Sequence, residues 1–151
     1  MRRLSELARA LEAGETRDEL MQRLMLAAED GVACRRAWFA LLTPARDKLA
    51  IKYATGIDAE AVIGSICKVA EHKLFDEVLE RPGVQARDGF RDNAPLLCGG
   101  PCAAVGVRIG ERSVGVFYME GAADSQFTEA QVDGFRQLGQ QIALVLSQAG
   151  S

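Results

Sequence analysis

The sequence predicts an α+β domain, a single antiparallel sheet with helices packed on it, and three observations carry that expectation. Two stretches, Ala37 to Thr55 and Val105 to Tyr118, read as pairs of β-compatible runs separated by short turns. Apolar residues near both ends of the chain recur at three- and four-residue spacing, as amphipathic helices require. A further short helical stripe lies between the two hairpins. With 151 residues the chain is expected to form one domain over residues 1–151.

The first segment, residues 2–29, is helical in pattern. Leu4, Leu7, Ala8 and Leu11 mark one stripe, and Gly14 breaks the run. Thr16 then offers an N-cap hydroxyl, with Glu19 at capping-box spacing ahead of Leu20, Leu24 and Ala27. Met21, Met25 and Ala28 lie beside that second stripe. One kinked helix and two separate helices both fit this pattern.

The sheet core is expected over residues 37–120. In the first hairpin, Ala37 to Thr43 and Leu49 to Thr55 flank the polar turn from Pro44 to Asp47. In the second, Val105, Val107 and Ile109 alternate with Gly106 and Arg108, and Val114, Val116 and Tyr118 continue beyond Gly110-Glu111. A glycine first in a two-residue turn suits type II′, where only glycine takes the left-handed position cheaply. Between the hairpins, Ala70 to Glu80 reads as a helix carrying Leu74, Phe75, Val78 and Leu79, stopped by Arg81-Pro82-Gly83. Residues 83–101, rich in glycine and proline, read as a long loop, which inside a small domain is usually functional. Its charged residues Arg87, Asp88, Arg91 and Asp92 suit a solvated loop, with Arg87 or Arg91 as an anion clamp the sharper alternative. The last segment, residues 128–149, is a helix capped by Thr128 and Gln131, with Phe135, Leu138, Ile142, Val145 and Ala149 as its stripe.

Composition narrows the function. Lys+Arg total 18 against 21 Asp+Glu, a net charge of −3, which argues against a nucleic-acid binder needing a basic face. No apolar stretch approaches the roughly 18–20 residues that span a bilayer, and no apolar run follows the basic N-terminus as in a signal peptide. A cytoplasmic protein is expected. Four cysteines (Cys34, Cys67, Cys98 and Cys102) are too few for a disulfide framework.

No catalytic constellation is legible. His72 is the only histidine, five residues from Cys67, and reads as a surface or capping residue. Cys98 and Cys102, with three residues between them in a glycine–proline loop, fit either unreactive thiols or a redox-responsive pair. Zinc would need four ligands, and no second close pair exists, so no metal is expected.

Several motifs resemble those of GAF domains. The run VGVRIGERSVGVFYMEG (105–121) is similar to that family's last hairpin, and SQFTEAQ (125–131) with the Leu138–Leu146 helix to its ending. CRRAWFALL (34–42) and KYATG (52–56) resemble its first hairpin, so the resemblance spans about residues 16–149. KLFDEVL (73–79), a polar loop and the last hairpin are most similar to the GAF-like region associated with HDOD signalling domains.

The resemblance implies a GAF/PAS-like fold: terminal helices on one face of a central antiparallel sheet, loops and a short helix on the other, enclosing a small-molecule pocket. The implied function is a sensory or regulatory module that binds a small ligand or responds to redox state and signals through its terminal helices. No cofactor is named by it. Phe39, Leu41, Phe75, Phe90, Cys98 and Cys102 are the expected pocket residues, although alternation puts Phe39 and Leu41 on the face opposite Trp38 and Ala40. The expected partners are an unidentified small molecule and a second copy, a homodimer through the terminal helices. A cysteine-dependent reductase of the free methionine sulfoxide type and a ligand-free dimerisation module are the alternatives. The reductase's cysteine motifs, the cyclic-nucleotide signature and the bilin-binding Cys-His dipeptide are not matched here.

Overall fold

The computed structural model describes residues 16–31, 34–87, 101–121 and 127–149. The stripe from Leu4 to Leu11 lies outside the described residues, as do Phe90, Cys98 and most of the 83–101 segment. Along the chain the elements are α1 (Arg17–Gly31), β1 (Arg36–Leu42), β2 (Lys48–Gly56), α2 (Ala59–Val62), β3 (Ile66–Lys68), a 3-10 turn (Val69–Glu71) and α3 (Lys73–Glu80). Then follow β4 (Val84–Arg87), β5 (Cys102–Ile109), β6 (Arg112–Glu120) and α4 (Glu129–Ala149). Among the described residues no helix is long and apolar enough to cross a membrane.

Both hairpins form where alternation places them, and all strand pairs in the sheet are antiparallel, in the order β3-β2-β1-β6-β5-β4. Ile109 pairs with Arg112 across Gly110-Glu111; Gly110 takes φ +65° and Glu111 stays out of the left-handed region, as a type II′ turn requires. In the first hairpin the Thr43 amide donates to Lys48 O at 3.0 Å, and the Arg46 amide to Thr43 O at 2.8 Å.

The two central strands are apolar on both faces, so the sheet separates two cores. On one face Phe39, Phe117 and Met119 pack against Leu20, Leu24 and Met25 of α1 and Phe135, Leu138, Ile142 and Val145 of α4. On the other, Trp38, Ala40, Val116 and Tyr118 pack against Leu74, Phe75 and Val78 of α3. Both long helices begin as their caps predict. The Glu19 amide donates to Thr16 Oγ1 at 3.2 Å, and the Gln131 amide to Thr128 Oγ1 at 3.1 Å. Gln131 Oε1 accepts in return from the Thr128 amide at 2.9 Å.

Three features depart from the sequence reading. The helix expected from Ala70 is split, because His72 takes extended backbone (φ −132°, ψ 97°) between the 3-10 turn and α3. The start of the expected 83–101 loop is a strand, with Val84 to Arg87 paired to β5. Elements α2 and β3 span only four and three residues, too few for either periodicity to show.

Two glycines press helices onto β5 from opposite sides. A Cβ on Gly106 would stand 2.2 Å from Val78 O of α3, and one on Gly139 of α4 would stand 3.0 Å from Val105 Cγ1. The first clash is with backbone and has no cheap relief. Gly106→Val is therefore expected to destabilise the fold by about 2 kcal/mol or more, read as a lower urea midpoint.

Candidate functional site

Two rows of side chains cross the face of the sheet that carries α3. In the outer row Cys102 pairs with Glu120, and Glu120 with Arg36. In the next, Ala104 pairs with Tyr118, Tyr118 with Trp38, and Trp38 with Ala54. Period two puts Arg36 beside Trp38, and Glu120 beside Tyr118, on this one face. Helix α3 lays Phe75 across them. Ring centroids lie 4.7 Å apart for Trp38–Tyr118, 5.4 Å for Trp38–Phe75 and 5.8 Å for Phe75–Tyr118, the last two edge-to-face. The His72 ring, at the start of α3, stands 5.3 Å from Phe75.

This aromatic floor is bordered by buried charge. Arg36 Nη2 donates to Glu120 Oε1 at 2.6 Å, with the side chains only 5% and 1% exposed. Burial, and then the negative charge of Glu120, push the Tyr118 phenol well above its ordinary value, so it stays protonated. The indole Nε1 of Trp38 is fully buried and has no hydrogen-bond partner. A buried donor left unsatisfied is costly, and each such group calls for an explanation.

The expected pocket residues do not all meet. Phe75 and Cys102 lie on this face, both buried. Phe39 lies on the opposite face in the core beneath α1 and α4, and Leu41 packs against that core. Alternation along β1 thus separates Phe39 and Leu41 from Phe75. Phe90 and Cys98 lie outside the described residues. Four residues absent from that set, Arg36, Trp38, Tyr118 and Glu120, form the centre of the site. Their signal was the charge at each strand end, in phase with a large aromatic residue. His72 is corrected: it is buried, 6% exposed, and it occupies the N-cap position of α3 without a side-chain cap bond.

The remaining described thiols fit a packing role. Burial pushes Cys34 up to about 12 and Cys67 up to about 11, which suppresses the reactive thiolate. Cys34 Sγ also donates to Ala28 O at 3.4 Å. Among the described residues, no group of three or more His, Cys, Asp or Glu side chains is placed to hold a metal ion.

A family model described as GAF domain matches residues 16–148. The chain belongs to the GAF domain family. Its fold is similar to the GAF-B domain of DevS from Mycobacterium smegmatis (TM-score 0.75, 16% identity, 89% of this chain and 95% of that one). It is similar to a GAF domain/HD domain protein from Geobacter sulfurreducens (0.74, 18%, 89% and 94%). Residues 122 to 287 of a methyl-accepting chemotaxis protein are similar too (0.78, 15%, 97% and 95%). The comparison with curated proteins gave no match.

Two outcomes check this GAF site. Arg36→Met removes the cation that faces buried Glu120 and is expected to cost about 3–5 kcal/mol in urea denaturation, most of it recovered when Glu120→Met is added. Stability is also expected to fall in alkali. A thiol whose folded pKa is raised stabilises fully below its unfolded value and loses that contribution as pH rises through the folded one. With Cys34 moving from 9.0 to about 12, urea midpoints stay level below pH 9 and drop above it, and Cys34→Ala flattens part of the drop.

Proposed function

We propose that this GAF domain is a sensory module that binds a small molecule on the α3 face of its sheet and reports occupancy through α1 and α4. The observation that carries the reading is the Trp38 indole N–H, buried without an acceptor beside the Arg36–Glu120 pair. A ligand with an acceptor at the edge of a flat ring or chain would satisfy that donor and stack on the aromatic floor. Occupancy shifts the module only as far as the ligand binds its two arrangements differently. The sheet is the connection: Trp38 on one face is flanked in β1 by Ala37 and Phe39 on the other, where α1 and α4 pack.

Similarity to DevS and to a chemotaxis protein supports a signalling context, and similarity to a GAF domain/HD domain protein suits an output domain of the HDOD kind. In this reading the chain works in the cytoplasm, as a homodimer through its terminal helices, without turnover of its own. Cys102 favours a redox variant of the same idea, because it sits in the row of Glu120 and Arg36. A disulfide from Cys102 to Cys98 would be felt there directly.

The test is a thermal-shift screen of the full chain against a metabolite library. A true ligand at about a hundred times its Kd raises the midpoint by about 5–10 °C, and Trp38→Phe reduces that shift. A library that leaves the wild-type midpoint flat overturns ligand sensing and favours a dimerisation module. Methionine sulfoxide turnover that disappears in Cys98→Ser or Cys102→Ser would instead make the chain a reductase.

A further inference from the structure

The opposite face of the sheet holds a cleft of about 480 Å³, at the β2 side of the helix layer. Its apolar wall is Leu41 of β1, Leu146 of α4 and Ile63, the residue after α2. Ile63 is 43% exposed, and Ile66 of β3, at the sheet edge, is 61% exposed. Its polar rim includes Arg17 and Gln22 of α1 and Lys52 of β2.

Lys52 reaches this cleft through a break in strand register. Phe39 pairs with Tyr53, but Ala40 pairs with Ile51, so Lys52 is an extra residue in a β-bulge. In regular register Lys52 would take the place of Ile51 on the α3 face, where Ala40 is fully buried and a charge would be costly. The bulge seats Ile51 there instead and brings the ammonium to the rim of the cleft. Bulges commonly re-aim side chains in this way beside binding sites.

The acidic member of the lining is already engaged. Tyr53, at the cleft wall, donates its hydroxyl to Asp18 Oδ1. Burial and that carboxylate both raise the phenol above its ordinary value, so the donor persists into alkali. Asp18 keeps its charge while it accepts from Tyr53, and Arg17 also lies against that phenol, so the lining sets two cations, Arg17 and Lys52, against one carboxylate, a net positive charge beside an aliphatic wall. The volume lies in the range of small-molecule sites.

We infer that this cleft is a second binding site, separate from the α3 face, that takes an aliphatic monocarboxylate. The carboxylate sits between Arg17 and Lys52, as charge-assisted bonding favours, and the hydrocarbon lies along Leu41, Ile63 and Leu146. Walls drawn from α1, β1, β2 and α4 mean that such a ligand bridges both terminal helices to the sheet. It would reach the output elements without passing through the aromatic floor.

Octanoate is the probe, titrated below its micelle range into the isotope-labelled full chain and followed by amide NMR. Saturable shifts are expected in the first turns of α1, in β2 around the bulge and at the end of α4. Acetate, which lacks the hydrocarbon, and 1-octanol, which lacks the charge, bind about tenfold or more weakly than octanoate. Lys52→Ala and Arg17→Ala, both at exposed positions, each weaken octanoate about tenfold and leave the spectrum otherwise folded. Absence of saturation, equal binding of octanol and octanoate, or affinity unchanged in both variants would each overturn the assignment. None of these outcomes depends on whether the α3 face takes a ligand, because Trp38 and Tyr118 are untouched.

Discussion

The central strands β1 and β6 are apolar on both faces, and the rest of the domain is arranged around that constraint. A sheet with two apolar faces is stable only when both are covered. Helices α1 and α4 cover one face with long, well-capped stripes. Among the described residues the other receives one two-turn helix, α3, with Phe75 as its largest contact, together with the short elements near β2. The face beneath α3 carries the buried Arg36–Glu120 pair.

A buried ion pair seldom adds net stability over a well-packed apolar pair, because desolvation offsets most of the attraction. Here it stands at the ends of β1 and β6, in register, directly beside the Trp38–Tyr118 pair. The unsatisfied indole N–H adds a second cost to the same few square ångströms of surface. Two costs in one place are what the proposed ligand site on the α3 face would account for. The bulge at Lys52 follows the same logic on the other face, where a charge is turned from a core toward a cleft.

Much of the fold was legible because its signals are local. The hairpin at Gly110-Glu111 needed only alternation and one glycine, and Thr16 and Thr128 announced their helices through partners three residues away. Elements without local periodicity stayed hidden: β4 is four residues placed by pairing with β5, and β3 is three residues placed by β2. His72 was misplaced because a charged neighbourhood in sequence, Glu71 and Lys73, does not reveal that the ring between them turns inward. The site was legible only in part. Phe75 and Cys102 were expected there, but Arg36 and Glu120 are 84 residues apart and meet only through strand register. Parity in β1 set Phe39 and Leu41 opposite Trp38 and Ala40, but only the packing of α1 and α4 shows which of the two faces the long helices cover.

The chain has a single tryptophan, so the Trp38 indole gives one signal in a proton–nitrogen spectrum. Following that signal through a metabolite titration tests the sensing account most directly. The account predicts that some compound moves it saturably, slows exchange of its proton, and shifts amides of α1 and α4 with the same affinity. An indole proton already protected in the free protein and unmoved by every compound would contradict it, because the donor would then belong to the fold and the α3 face would have nothing left to recognise.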